Sequence, residues 1–193
     1  MAIWQSRVMT QETLTPRFSE LVGQGMIWAK PKPSWTKGGY DLRLGEQRLA
    51  TLKLRSMWGT FATGETSEGS WTFKRVGFFQ NRVTVRTLSS DAEIGVFVND
   101  WKMGGTLALP DGRQYRGNTN FWMTKFAFTN ETGEPVVSYR RIGGVSLSAA
   151  VEIEPAGAAL RELPWLVLLG WYVAVMMHQD AAMGGAVGSG AAG

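Results

Sequence analysis

The side chains with the widest chemical reach in this sequence are its grouped cations. Lys53 and Arg55 stand two residues apart, Lys74 adjoins Arg75, Arg140 adjoins Arg141, and Lys30, Lys32 and Lys37 surround Pro31 and Pro33. Ammonium and guanidinium groups gathered on one surface donate charge-assisted hydrogen bonds to phosphate oxygens. Whether they gather depends on the backbone that carries them. Residues two apart on a strand share a face, so Lys53 and Arg55 are expected to flank an inward Leu54. Adjacent residues point to opposite faces, so each Lys-Arg or Arg-Arg pair is expected to give one charge per face. The default role of such charges is to keep strand edges soluble.

Composition closes off most other chemistry. There is no cysteine, which removes disulfides, thiolate metal sites and cysteine nucleophiles, and fits a reducing compartment. His178 is the single histidine and ends the most apolar stretch, so no multi-histidine metal site is available. The carboxylates Asp41, Asp91, Asp100, Asp111, Asp180, Glu65, Glu68, Glu131 and Glu134 fall mostly at turn signals and are expected to do turn chemistry. Gly104-Gly105 and Gly143-Gly144 lack the lysine and hydroxyl residue of a phosphate loop. Among the nine tryptophans, most of Trp28, Trp58, Trp71, Trp101 and Trp122 are expected to pack rather than to stack on bases or sugars. The basic residues are dispersed without an aromatic-basic ribbon, so nucleic-acid binding is not expected. Neither are a catalytic residue, a metal or a cofactor.

The elements that must position the cations are strands. With 193 residues, 44% hydrophobic and 19% charged, the chain is long enough for one domain with one core, and a net charge of +4 with a pI near 9.6 permits an anionic partner. From residue 26 to 154 short alternating segments are divided by turn signals. In the first clear hairpin Tyr40, Leu42 and Leu44 share one face, and Ala50, Leu52 and Leu54 answer them after Gly45-Glu46. Further segments are read at 57–63, 70–76, 82–88, 93–98, 105–109, 113–117, 120–128, 136–142 and 145–153. About 12 strands leave too many edges for an open sheet, so a closed barrel or a sandwich is expected. A faint echo at an offset of about 65 residues pairs Leu44-Gly45-Glu46-Gln47-Arg48 with Leu109-Pro110-Asp111-Gly112-Arg113, and Arg75-Val76-Gly77 with Arg141-Ile142-Gly143, as two related halves would.

After Pro155 the texture changes to an unbroken apolar run over residues 163–177, which predicts a helix within 160–178. Between Glu162 and His178 it has no polar face, so protein or lipid must enclose it. Threading the barrel is the favoured enclosure, because a barrel of this many strands is too wide for its own side chains to fill. Trp165, Leu166, Leu169, Gly170, Trp171, Tyr172 and Met176 would then form the core, with Gly170 marking a close approach by the wall. The other enclosure is a bilayer, with the run as a tail anchor. Residues 1–25 hold no signal-peptide core and read as a partly ordered leader to a domain over 26–180, and 181–193 read as a flexible Ala/Gly tail.

The order of these segments resembles the tubby C-terminal-like superfamily, which includes LURP-one-related proteins and phospholipid scramblases, and in particular its small bacterial members. The resemblance is carried by Trp71-Thr-Phe-Lys-Arg75 with Arg82-Val-Thr-Val-Arg86, by Asp111-Gly-Arg-Gln-Tyr115, by Phe121-Trp122 and Phe126-Ala-Phe128, and by Leu166-Val-Leu-Leu-Gly-Trp-Tyr172. It covers the chain from about Met26 to Asp180. It implies a mainly β protein, a closed antiparallel barrel around a central hydrophobic C-terminal helix, with a basic surface site for phosphoinositides and no established catalysis in many relatives. The calcium and palmitoyl-cysteine features of scramblases do not carry over. The resulting expectation is a non-enzymatic binding or scaffold module, cytoplasmic and peripheral to a membrane. It would contact anionic phospholipid headgroups through Lys53, Arg55, Lys74, Arg75, Arg140 and Arg141. A lipocalin-like carrier and a tail-anchored protein with a cytoplasmic β-domain are the alternatives.

Overall fold

The computed structural model describes residues 16–31, 38–56, 60–76, 81–100 and 104–188, with side chains as far as 182. Twelve strands run as β1 (Met26–Ala29), β2 (Gly39–Leu44), β3 (Gln47–Leu54), β4 (Phe61–Thr66), β5 (Gly69–Val76) and β6 (Arg82–Thr87), then β7 (Glu93–Asp100), β8 (Gly104–Ala108), β9 (Gln114–Thr119), β10 (Lys125–Thr129), β11 (Pro135–Gly143) and β12 (Ser148–Ile153). Each pairs antiparallel with its neighbours in sequence, and β1 closes on β12 through Met26 opposite Val151. The result is the closed barrel that the strand count implied. The echoed segments lie six places apart in the strand order, on opposite sides of the barrel.

One helix, α1 (Leu163–Gly188), follows the strands and threads the barrel. Every residue from Glu162 to Met176 is buried, which is why the sequence carries no polar stripe: a rod surrounded by wall needs apolar side chains in every direction. Trp171 stacks on Trp28 of β1 with centroids 5.8 Å apart and meets Tyr40 of β2 edge-on at 5.2 Å. On another side Tyr172 stacks on Phe73 of β5 at 5.7 Å. Tyr139 of β11 donates its hydroxyl to the Val167 carbonyl at 2.7 Å, and lies so close to Gly170 that a Cβ there would sit 2.5 Å from the phenol oxygen. The expected close approach at Gly170 is this tyrosine. Gly64 of β4 makes the reciprocal allowance, since a Cβ there would come within 2.8 Å of Leu168.

Several sequence boundaries require correction. The helix starts at Leu163, after a 3-10 turn at Pro155–Gly157, and continues to Gly188, so 181–188 are helical rather than a loose tail. Alanine has the highest helix propensity, and extension from a rod already held in the barrel needs no new nucleus. Residues 16–25 belong to the fold. Phe18 and Leu21, in the turn Phe18–Leu21, are buried in the core, and the Phe18 N–H donates to Glu68 at 2.7 Å. The strand read at 57–63 is β4, beginning at Phe61; Met57 and Trp58 lie outside the described residues.

Two outcomes follow from this core. Trp171→Ala should lower unfolding stability by about 3–5 kcal/mol in denaturant titrations, a loss typical of a buried large-to-small change. The second concerns the four tyrosines, Tyr40, Tyr115, Tyr139 and Tyr172, whose phenols burial pushes above the ordinary value of 10.0. Above that value the unfolded chain releases protons that the folded chain keeps, so stability falls as pH rises. Tyrosinate absorbance should therefore stay flat through pH 10 and then appear in one cooperative step with unfolding. Gradual titration of the native protein near pH 10 contradicts this.

Candidate functional site: the upper rim

In a closed antiparallel barrel, connections after even-numbered strands gather at one rim and those after odd-numbered strands at the other. Helix α1 begins at the even-strand rim, here the lower rim, and emerges at the upper one. Charge is sorted between them. The lower-rim connections and strand ends expose Glu46, Glu68, Asp91, Asp111, Glu131 and Glu134. Around the upper rim stand exposed Lys30, Arg55, Arg82, Lys125, Arg140 and Arg141. Carboxylates toward the upper rim are committed to partners: Asp100 binds Arg116 at 2.7 Å and Asp180 binds Arg75 at 2.8 Å. Arg86 and Arg113, nearer the lower rim, are drawn into ion pairs with Asp91 and Glu93 and with Asp111 and Glu162. Arg17, Arg48 and Arg161 are also exposed toward the lower rim, so the axial charge dipole is the net of a partial sorting.

The Arg140–Arg141 pair departs from simple strand alternation. Arg140 is opposite Ala150, but the register with β12 then jumps to Gly143 opposite Ser148. Within this bulge Arg141 has φ +56, a left-handed conformation uncommon for a side chain of its size. The extra residue leaves both arginines outside while Tyr139 and Ile142 point inward. The expectation of one charge per face fails here. Lys125 of β10 is directly opposite Arg140, so three cations share one patch. Arg140 is also paired with Glu152 of β12. Among the described residues no carboxylate forms an ion pair with Lys125 or Arg141.

The other sequence-predicted cations go elsewhere. On β5 alternation holds: Lys74 points out and Arg75 turns into the barrel mouth. There Arg75 grips Asp180 of the emerging helix with two hydrogen bonds, at 2.9 and 2.8 Å, and Asp180 raises its pKa. The adjoining cleft, between Asn81, Asn99 and the helix, holds only about 20 Å³, room for one water and not for a phosphate. Arg75 therefore ties down the helix and is removed from the headgroup set. Lys53 forms an ion pair with Glu65 at 3.6 Å beside a groove of about 480 Å³ lined by Asp41, Arg48 and Thr51, and Arg55 follows at the rim. Lys53, Arg55 and Lys74 thus lie on the β3–β5 wall, across the barrel from Arg140 and Arg141. Lys32 and Lys37 lie outside the described residues.

Beside the arginine bulge, residues 120–124 form a turn rather than the strand expected at 120–128. The Asn120 side-chain oxygen accepts the N–H groups of Thr124 and Lys125, both at 2.9 Å, and its amide donates to the Thr124 hydroxyl. Met123 closes the turn at φ +52. This bracing holds Phe121 and Trp122 outward, 74% and 75% exposed, with their rings edge-to-face at 5.1 Å. Trp28 and Trp71 pack in the core as expected, Trp58 and Trp101 lie outside the described residues, and Trp122 does not pack.

Sequence reasoning also missed Glu162, used there only as a boundary. It is 3% exposed at the lower rim, immediately before α1, with Arg113 at 2.5 Å and the Tyr115 hydroxyl donating to it. Its signal was positional: an acid just ahead of an apolar helix suits the positive end of the helix dipole. Arg113 also holds Asp111 at 2.8 Å, which keeps the Asp111 carboxyl below its ordinary pKa. This cluster latches the β8–β9 hairpin to the helix start.

No protein-family model, curated protein or solved structure matches the chain. The latch predicts an asymmetry measurable by thermal unfolding. Glu162→Ala should cost about 1–3 kcal/mol, the worth of charged hydrogen bonds. Arg113→Ala should cost more, because it strands a buried carboxylate whereas the half-exposed guanidinium can turn to water.

Proposed function

We propose that this protein is a non-enzymatic, tubby-like binding module that docks on anionic phospholipid headgroups with its upper rim, at the cytoplasmic surface of a membrane. The observation that carries the reading is the bulge that keeps Arg140 and Arg141 on one side beside Lys125, on the cationic end of a barrel whose acidic groups crowd the far end. Guanidinium groups suit phosphate oxygens, and the dipole turns the correct end toward a negative surface before contact. The tubby-like reading is supported by architecture, twelve strands around a threaded apolar helix. Membrane peripherality is supported by the helix's position in the barrel; no helix among the described residues is long and apolar enough to cross a bilayer.

The alternative readings lose their footing on the same feature. A tail anchor needs residues 163–177 outside the barrel and a carrier needs the interior empty, whereas the helix occupies that interior. The named set changes to Lys125, Arg140 and Arg141, with Lys53, Arg55 and Lys74 as outlying charges.

Vesicle co-sedimentation tests the reading. Each cation near an anionic leaflet contributes roughly 1 kcal/mol, so Lys125→Gln with Arg141→Asn should weaken binding to phosphatidylserine vesicles about 30-fold. Asparagine suits the left-handed backbone at 141, so melting should be unchanged. Equal pelleting of variant and wild type at low salt refutes the patch.

A further inference from the structure

Phe121 and Trp122 are the residues the barrel handles least economically. Both are large and apolar, both stand in water, and a dedicated network of Asn120 hydrogen bonds keeps them there. Val145, at the tip of the β11–β12 connection, is fully exposed. The two connections are neighbours on the upper rim, joined by the Ile142 N–H donating to the Thr124 carbonyl at 3.0 Å. Lys125, Arg140 and Arg141 stand immediately behind them along β10 and β11. An apolar tip ahead of a cationic collar matches the layering of a lipid leaflet, in which acyl chains lie beneath anionic phosphates.

We propose that Phe121, Trp122 and Val145 form an insertion tip that enters the interfacial layer of an anionic bilayer when the arginine patch engages its phosphates. This rests on the docking proposed above and goes beyond it: the contact is apolar as well as electrostatic, and the barrel stands end-on. Tryptophan suits this depth, because its ring is apolar and its indole N–H stays hydrogen-bonded among headgroups. Charge complementarity selects the occupant, since the collar favours an anionic leaflet over an apolar groove on another protein. The rigid turn means that little conformational freedom is lost on insertion.

The test compares wild type, Phe121→Ser/Trp122→Ser and Lys125→Gln/Arg141→Asn by co-sedimentation with phosphatidylcholine vesicles, with and without phosphatidylserine, at low and high salt. Salt screens the collar but does not weaken apolar insertion. Wild type should retain binding to anionic vesicles at high salt, and the serine variant should lose at least about tenfold at low salt and all binding at high salt. Melting should not change in the serine variant, because both rings are exposed. In a second measurement, brominated lipid should quench wild-type tryptophan fluorescence, and Trp122→Phe should reduce that quenching while still pelleting. If the serine variant binds like wild type while the cation variant does not, headgroup docking stands and insertion falls. If wild type pellets with neither vesicle, both fall. If the serine changes abolish self-association in sedimentation velocity and leave vesicle binding intact, the tip is a contact between copies and the proposal is overturned.

Discussion

A helix that is apolar on every side cannot face water, and the rest of this structure follows from where it is put. The twelve-strand wall encloses a space too wide to fill with wall residues alone, and α1 supplies the missing volume. The two are mutually dependent: the open barrel would be hollow, and the free helix would aggregate. Glycines on each partner, Gly170 on the rod and Gly64 on the wall, remove the Cβ atoms that would hold them apart. Polar latches fix the rod's position along the axis, with Glu162 held by Arg113 and Tyr115 below and Asp180 held by Arg75 above.

With the interior occupied, binding chemistry is left to the outer surface and the rims. Rim chemistry also differs between the echoed segments. Arg75 and Arg141 are counterparts in the sequence echo, yet Arg75 turns inward to hold the helix and Arg141 is thrown outward by the bulge. The one-residue bulge is what sets the outward direction of Arg141. Nearby, a single asparagine does the same for an aromatic pair that would otherwise continue a strand.

Much of the architecture was legible in the sequence because it rests on periodicity. Tyr40, Leu42, Ala50, Leu52 and Leu54 alternate inward as read, and the featureless apolar run announced an enclosed helix. The site was far less legible. Strand alternation forecast one exposed charge from Arg140–Arg141, and only the left-handed turn at Arg141 makes it two. Lys125 went unnoticed because its partner Arg140 is 15 positions away in the chain and adjacent only across the ladder. Trp122 resembled a packing residue because composition does not reveal that Asn120 would capture two backbone N–H groups and end the strand.

The position of the plug in the chain has a consequence for biosynthesis. All twelve strands leave the ribosome before α1 does, and β1 cannot close on β12 until β12 itself has been made. Vectorial folding from the amino end is therefore of little use to this protein. Until β12 is present, the earlier strands have open edges and an unfilled centre. Barrel closure and plugging both await elements that come after β11.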